Sequence, residues 1–271
     1  MNEAWAKEKL ENLFKSYNYT PKYQVDVMGR KIDVPVKYSD TRAVMAIFPA
    51  WVKNIRGFIG TERFQPVRIS RERCLLCITI FDYKTCQIGA YKEIALSVPV
   101  LFDAHFAIPY LPLFFSNLFP NFGYYSILLA MTTNIARTHS ERIFGYPTYD
   151  KEVNIDLNIN DSRIFINAME SSEKILSMAI ESESSPNQPQ RTVSEKYRTY
   201  FTKENRLIEV QLDAFAYMAN LICKQGFMLE LGDHKISRMM RECLAGPYPL
   251  KCIHYDNATE ILGVPKVIGV F

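Results

Sequence analysis

The segment QIGAYKEIALSVPV, residues 87–100, decides the predicted fold of this sequence. Side chains alternate between the two faces of a strand. One face of this strand is therefore mainly aliphatic and includes Lys92, while the other carries Tyr91, Glu93, Ala95 and Ser97. An aliphatic face packs beneath helices, whereas a small, aromatic and acidic face is typical of a cavity wall. We therefore expect Glu93 and Tyr91 to face a cavity.

Similar alternating segments lie on both sides of this strand. They include CLLCITIF at 74–81, a hairpin that turns at Met28-Gly29, and a second hairpin around Asn160-Asp161. Long helical patterns are few, and no βαβ rhythm appears. These features predict an α+β fold, with a mainly antiparallel sheet that is closed or strongly curved into a barrel and has its helices outside.

Three stretches are predicted to be helical. An amphipathic helix over residues 2–17 belongs to an N-terminal helical arm, 1–23, that precedes the main domain. TRAVMAIF at 41–48 follows the capping residues Ser39 and Asp40 and ends at a proline. IARTHSERIF at 135–144 follows Thr132, Thr133 and Asn134 and can end at Gly145.

Composition excludes several classes of protein. Lysine and arginine number 32 against 29 acidic residues, a net charge of +3 that builds no phosphate-tracking surface, so we expect no nucleic-acid partner. The values of 48% hydrophobic and 23% charged residues are those of a soluble globular chain, with a single main domain over 24–271. The first residues lack the apolar stretch of an export signal, which predicts a cytoplasmic protein.

The chain is unusually apolar between Ile94 and Met131, where Asp103 is the only formally charged residue. Four prolines divide this stretch into pieces much shorter than the ~20 residues of a membrane-spanning helix, so we expect no integral membrane segment. The Pro- and Phe-rich insertion near 102–121 has two interpretations. It is either buried loop and strand, or an apolar lid or subunit contact in a homo-oligomer.

Metal and cofactor motifs are weak. Cys74 and Cys77 have the spacing of half a zinc site, but no second pair follows, and residues three apart on a strand point to opposite faces. The four histidines are scattered, and the glycines form no nucleotide-binding pattern. We therefore expect neither a metal nor a cofactor.

Glu93 and Arg30 are the strongest candidates for chemistry. Burial against aromatic and small side chains would raise the pKa of the Glu93 carboxyl and let it transfer protons near neutral pH; alternatively it points to water at a sheet edge. Arg30, at the start of a strand, is either a bidentate clamp for a substrate carboxylate or an ordinary cation near a turn.

Four segments resemble acetoacetate decarboxylase and its relatives. They are IGAYKEIALSVPV (88–100), ERIFGYP (141–147), VMGRKIDV (27–34) and GPYPLKCIHYDNATEILGVPKVI (246–268). The resemblance spans roughly residues 24–270 and implies a cone-shaped, mainly antiparallel β-barrel with flanking helices. It also places Arg30 at the family's active-site arginine and Glu93 at an active-site glutamate.

The resemblance fails at the family's nucleophile. In the family, the lysine directly after the Tyr-Pro turn forms a Schiff base with the keto acid, but here Thr148 occupies that position and Tyr149 the next. A hydroxyl forms no iminium. Lys151, three residues beyond Thr148, is predicted to face away from the cavity, as is Lys92. A second family glutamate has no acidic match in 74–81.

Three functional hypotheses follow. The first is a lyase-related enzyme, similar to the decarboxylase, that acts on a keto acid or another small or apolar carboxylic acid without a Schiff-base lysine. Arg30 would bind the substrate carboxylate, Glu93 would move a proton, and Tyr91, Tyr146 or Thr148 would donate to an oxyanion. The second is a non-catalytic binder of a hydrophobic acid in a retained pocket. The third is an assembly component whose apolar segment is a subunit interface.

Overall fold

Two β-sheets and a small hairpin make up most of the structure, a computed structural model that describes residues 20–104, 109–110, 112, 118–160, 163–181, 191–221 and 226–270. The strands are β1 (Tyr23–Val27), β2 (Arg30–Val34), β3 (Val36–Trp51), β4 (Phe64–Pro66), β5 (Arg73–Cys86), β6 (Tyr91–Phe102), β7 (Phe122–Met131), β8 (Asn154–Ile159), β9 (Arg163–Glu170), β10 (Glu173–Glu181), β11 (Arg191–Lys203), β12 (Arg206–Leu221), β13 (Phe227–Leu231), β14 (Lys251–Leu262) and β15 (Lys266–Val270). The helices are α1 (Val52–Ile59), α2 (Asn134–His139), which continues into a π-helical turn over Ser140–Phe144, and α3 (Lys235–Cys243).

Seven strands close into a barrel in the order β11-β7-β6-β5-β3-β14-β12, and β12 pairs back with β11. Neighbouring strands are antiparallel except β11 and β7, which run parallel. The short strands β4 and β15 extend the sheet beside β6 and β12. The predicted α+β fold, a cone-shaped and mainly antiparallel β-barrel with flanking helices, is confirmed.

The outer face of β6 packs against a second sheet of four strands, in the order β13-β10-β9-β8. Ile94 and Leu96 from the barrel share one hydrophobic cluster with Ile164 and Ile166 from β9, and all four side chains are essentially inaccessible to solvent. Each such aliphatic side chain contributes roughly 1.5–3 kcal/mol when buried. We expected helices to cover this face, and a sheet covers most of it instead, with α3 beside it.

The hairpin predicted at Met28-Gly29 is confirmed. β1 and β2 pair in register, with Val27 opposite Arg30. Met28 and Gly29 both have positive φ, 53° and 81°, the conformation that a two-residue type I′ turn requires. Glycine adopts it without strain, so the local sequence is sufficient to specify this turn.

The helix predicted over 41–48 is wrong, because these residues lie within the 16-residue strand β3. Val44 and Ala46 form ladder pairs with β5 on one side and with β14 on the other. Backbone pairing on both edges, together with full burial of both side chains, outweighs the local capping signals of Ser39 and Asp40.

The helix predicted over 135–144 is confirmed as α2 and the π-helical turn. The Thr133 hydroxyl caps the helix by accepting a hydrogen bond from the Ala136 amide at 3.3 Å. Gly145 ends the π-helical turn in the left-handed conformation, with φ of 86°. This arrangement brings the chain into the Tyr146-Pro147 turn beside β7.

Two other predictions lie partly outside the described residues. The arm predicted over 1–23 includes residues 1–19, which are not described, and residues 105–108, 111 and 113–117 of the predicted insertion are not described either. In the part of the chain that is described, no helix has the length and apolar character needed to cross a bilayer.

Candidate active site

The inner face of the barrel lines a cavity of about 150 Å³. Tyr91, Glu93, Ala95 and Ser97 of β6 line it, as the alternation along residues 87–100 predicts. Facing side chains come from β3, β5, β7, β11, β12 and β14. A cavity of this volume accommodates a molecule about the size of benzene.

Glu93 is buried in this wall with 5% of its surface exposed. Within the part of the chain that the structure describes, its carboxyl forms no hydrogen bond and no ion pair. Burial, and secondarily the charge of Glu260, raises the pKa of Glu93 to about 8. A carboxyl in this state populates both its protonated and its ionised form between about pH 7 and pH 9, so it can either give or take a proton.

Glu260 of β14 is a second cavity carboxyl that sequence reasoning missed. It is 6% exposed, and burial raises its pKa to about 7. Because the charge of Glu260 also raises the pKa of Glu93, the two carboxyls titrate as a pair. A signal was present in the sequence, since Ala258, Glu260 and Leu262 alternate along one strand face as a small, acidic and apolar set.

Tyrosine rings form much of the remaining wall. The rings of Tyr38 and Tyr83 lie 4.8 Å apart, and those of Tyr83 and Tyr91 lie 4.7 Å apart. Burial, reinforced by the charges of Glu93 and Glu260, raises the pKa of Tyr83 well above its usual range. These hydroxyls therefore stay protonated near neutral pH and remain hydrogen-bond donors.

Tyr146 also lines the cavity, and its contact with substrate stays a prediction. Its hydroxyl lies 2.6 Å from the hydroxyl of Thr199, another lining residue. Burial raises the pKa of Tyr146, while the hydrogen bond to Thr199 opposes this shift. Tyr91, Glu93 and Tyr146 are thus the predicted site residues that the fold brings together.

Arg30 does not lie at the cavity, contrary to the prediction of a carboxylate clamp. Its side chain is exposed at the start of β2, and Nη1 donates a hydrogen bond to the Ile88 carbonyl at 2.8 Å. This contact ties the β1–β2 hairpin to the turn before β6. Of the two interpretations of Arg30, this geometry fits an ordinary cation near a turn, since Arg30 is not among the described lining residues of the cavity.

Thr148 also lies apart from the cavity-lining side chains. It is half-buried, and its hydroxyl donates a short hydrogen bond to the Glu141 carboxylate. Its backbone forms a parallel bridge with Leu129, and it is the Leu129 side chain that lines the cavity. The predicted substrate contact from Thr148 therefore does not match this geometry.

Among the described residues that line the cavity, none is a lysine or an arginine. Lys151 is exposed and forms an ion pair with Glu170. Lys92 lies on the other face of β6 from Glu93. Neither amine is placed to form an imine with a molecule in the cavity.

No group of three or more His, Cys, Asp and Glu side chains suited to a metal ion occurs in the described ranges. Glu93 and Glu260 supply two carboxylates to the cavity. Cys74 and Cys77 are both buried, and desolvation raises the pKa of each thiol to about 12. Both thiols therefore stay protonated and are poor metal ligands and nucleophiles.

Solved structures share this architecture. An acetoacetate decarboxylase matches with a TM-score of 0.63 at 13% identity, over 88% of this chain and 90% of its own. An acetoacetate decarboxylase from Legionella pneumophila matches with a TM-score of 0.65 at 11% identity, over 95% and 96% of the two chains.

The chain has the acetoacetate decarboxylase-like fold. A further structure with this fold is the enduracididine biosynthesis enzyme MppR complexed with pyruvate, which matches with a TM-score of 0.57 at 10% identity over 88% of this chain and 92% of its own. No protein-family model and no curated protein matches the sequence. Within the acetoacetate decarboxylase-like fold, this chain thus presents two buried carboxyls in a cavity without a described lining amine.

Proposed function

We propose that this chain is an enzyme that transfers protons on a small carbonyl compound, with Glu93 and Glu260 as its acid–base pair and without a lysine imine. The observation that carries the proposal is that both carboxyls are buried in the wall of one cavity. Groups whose environments set their pKa values apart near neutrality are typical of acid–base sites.

The pair suggests a division of roles. Because the two carboxyls titrate as a pair near neutral pH, one of them is ionised while the other is protonated over this range. The carboxylate would remove a proton from the carbon beside the carbonyl. The protonated carboxyl and the tyrosine hydroxyls would donate hydrogen bonds to the developing enolate oxygen.

Two facts favour a carbonyl substrate and an imine-free route. Neighbours in fold include an acetoacetate decarboxylase and an enzyme complexed with pyruvate, both linked to carbonyl compounds. The described cavity wall contains no amine. General acid–base catalysis alone typically contributes ~10²–10⁴-fold, which suits enolisation and related steps better than the loss of CO2 without an electron-accepting iminium.

A second candidate is a non-catalytic binder, favoured by a tyrosine-lined cavity that lacks a nucleophilic amine among its described residues. This protein would hold a small apolar molecule without converting it. The two candidates differ in one measurable property, which is proton exchange on the bound molecule.

We expect the protein to catalyse exchange of deuterium from D2O into the carbon beside the carbonyl of acetone, hydroxyacetone or pyruvate, followed by NMR. Glu93→Gln keeps the shape but removes the acid–base group, so we expect exchange to fall by ~10²–10⁴-fold. Glu62→Gln is the matched control, since the Glu62 side chain is 89% exposed. Exchange that is absent with all three compounds, or unchanged in Glu93→Gln, contradicts the proposal.

Borohydride reduction tests the absence of an imine. With acetoacetate or a longer 3-keto acid present, we expect the intact mass of the protein to stay unchanged after reduction, because the described lining residues include no lysine. A stable reduced adduct mapped to any lysine would overturn the imine-free mechanism.

A further inference from the structure

The cavity wall carries acidic groups without an opposing charge. Glu93 and Glu260 lie at one part of the wall, and Glu195 lines another part, where its carboxylate accepts a hydrogen bond from Tyr197. Described lining residues include no lysine and no arginine. A small carboxylate entering this space would add negative charge where nothing in the described wall neutralises it.

Arginines on the strands around the barrel make contacts elsewhere. Arg42 forms an ion pair with Asp256 at 2.8 Å, Arg198 one with Glu209 at 3.8 Å, and Arg30 is bonded to the Ile88 carbonyl. None of the three lines the cavity. The positive charge that Glu93 and Glu260 lack is therefore not supplied by these side chains.

Tyrosine rings beside the carboxyls are a second feature of the cavity that favours a cationic ligand. Tyr38, Tyr83 and Tyr91 line the cavity as a continuous row with centroids 4.7–4.8 Å apart. The charge of Glu93 acts on all three rings, and that of Glu260 acts on Tyr83. Aromatic faces attract organic cations within about 6 Å, and most strongly where water is excluded. Buried carboxylates beside tyrosine rings are the chemistry that proteins use to hold an alkylammonium group.

We infer that the substrate of this cavity carries a small organic cation, an ammonium or alkylammonium group, which Glu93 and Glu260 bind beside the tyrosine row. The inference rests on the proposed function, since it takes the cavity to be the substrate site. The volume of about 150 Å³ accommodates a group of roughly the size of benzene. Within the small carbonyl compounds proposed above, the substrate class is thus one that carries an ammonium or alkylammonium group.

Cation binding is expected to depend on pH. The titratable groups that face Glu93 are Glu260 from β14, Tyr38 from β3, Tyr83 from β5, and Tyr91 and Tyr146. Burial keeps all four tyrosines protonated, so the carboxyls alone change charge between pH 6 and pH 8.5. Their ionisation creates the cation site, so affinity should rise with pH.

Three probes of similar size and different charge test this inference on the full chain. They are tetramethylammonium, tert-butanol and trimethylacetate, titrated by calorimetry at pH 6 and pH 8.5. We expect tetramethylammonium to bind most tightly and to gain affinity by about tenfold per pH unit while one carboxyl ionises. Trimethylacetate should bind most weakly and should lose affinity as the pH rises.

Variants separate the cation site from general apolar binding. Glu93→Gln and Glu260→Gln should each weaken tetramethylammonium binding by at least about tenfold at pH 8.5, and Glu62→Gln should leave it unchanged. Since each glutamine removes a buried charge, the variants are expected to fold, and circular dichroism checks this. The inference is overturned if trimethylacetate binds more tightly than tetramethylammonium or if no probe binds. It is also overturned if the affinity for tetramethylammonium changes neither with pH nor in these variants.

Failure of this inference and failure of the proposed function give different results. Cation binding without proton exchange on aminoacetone, acetone, hydroxyacetone or pyruvate refutes the acid–base enzyme but leaves the cation site intact. Glu93-dependent exchange on acetone or pyruvate without cation binding refutes the cation site but leaves the enzyme intact.

Discussion

Raising the pH from about 5 to 8.5 is expected to destabilise this protein by several kcal/mol through Glu93 and Glu260. Both carboxyls have pKa values in the folded state, about 8 and about 7, that lie above the ordinary glutamate value of 4.5. Between these values the folded state holds protons that the unfolded state has released. Stability is therefore greatest below pH 4.5 for these two groups and falls as the pH rises through 7 and 8.

The measurement is urea unfolding of the wild type and of the Glu93→Gln/Glu260→Gln double variant across this pH range. Each pKa unit of difference corresponds to about 1.4 kcal/mol per group. The free energy of unfolding of the double variant should increasingly exceed that of the wild type as the pH rises. A gap that stays constant from pH 5 to 8.5 would show that neither carboxyl is buried as described.

Comparing the wild type with the double variant cancels the effect of other titratable groups on the free energy of unfolding. Burial lowers the pKa of His139 to about 4, so His139 makes the folded state lose stability as the pH falls below 6.5. Contacts with Lys151, Tyr149 and His234 lower the pKa of Glu170 to about 2, and its contribution is lost only in acid. Both effects are the same in the two proteins, so the difference between them reports the cavity pair.

Local sequence was enough to find one cavity wall. The alternation along residues 87–100 identifies which side chains of β6 face inward, because the period of a strand is fixed at two. The hairpin at Met28-Gly29 follows from turn chemistry in the same way. These predictions need no information about distant strands.

The other half of the site depends on pairing between distant strands. Glu260 reaches the cavity because β14 pairs with β3, which pairs with β5 and then with β6. No local pattern specifies that order. Thr148 is placed in the site by resemblance alone, and Arg30 by its position at a strand start together with the resemblance. In the structure Arg30 donates a hydrogen bond to the Ile88 carbonyl and Thr148 donates one to Glu141. A side chain at a strand end can reach several hydrogen-bond acceptors, and the alternation of side chains along the strand does not predict which of them it contacts.

A cavity inside a barrel leaves the inner faces of its strands only partly packed. The outer face and the second sheet therefore supply a large share of the hydrophobic contacts. Phe48 on β3 is fully buried in this layer, with its ring 5.8 Å from that of Phe227 on β13. The stability of the cavity therefore depends on contacts made on the opposite side of its wall.

Phe48→Ala is expected to lower the free energy of unfolding by about 3–5 kcal/mol, because it removes a buried ring and leaves a cavity between the barrel and the four-stranded sheet. Phe165→Ala makes the same truncation on β9, where the ring is 39% exposed, and should cost much less. Urea unfolding of both variants measures the difference. Equal losses would mean that the second sheet does not supply the core of the barrel. Loss of tetramethylammonium binding in folded Phe48→Ala, with the cavity wall itself unchanged, would show how far the outer layer fixes the positions of Glu93 and Glu260.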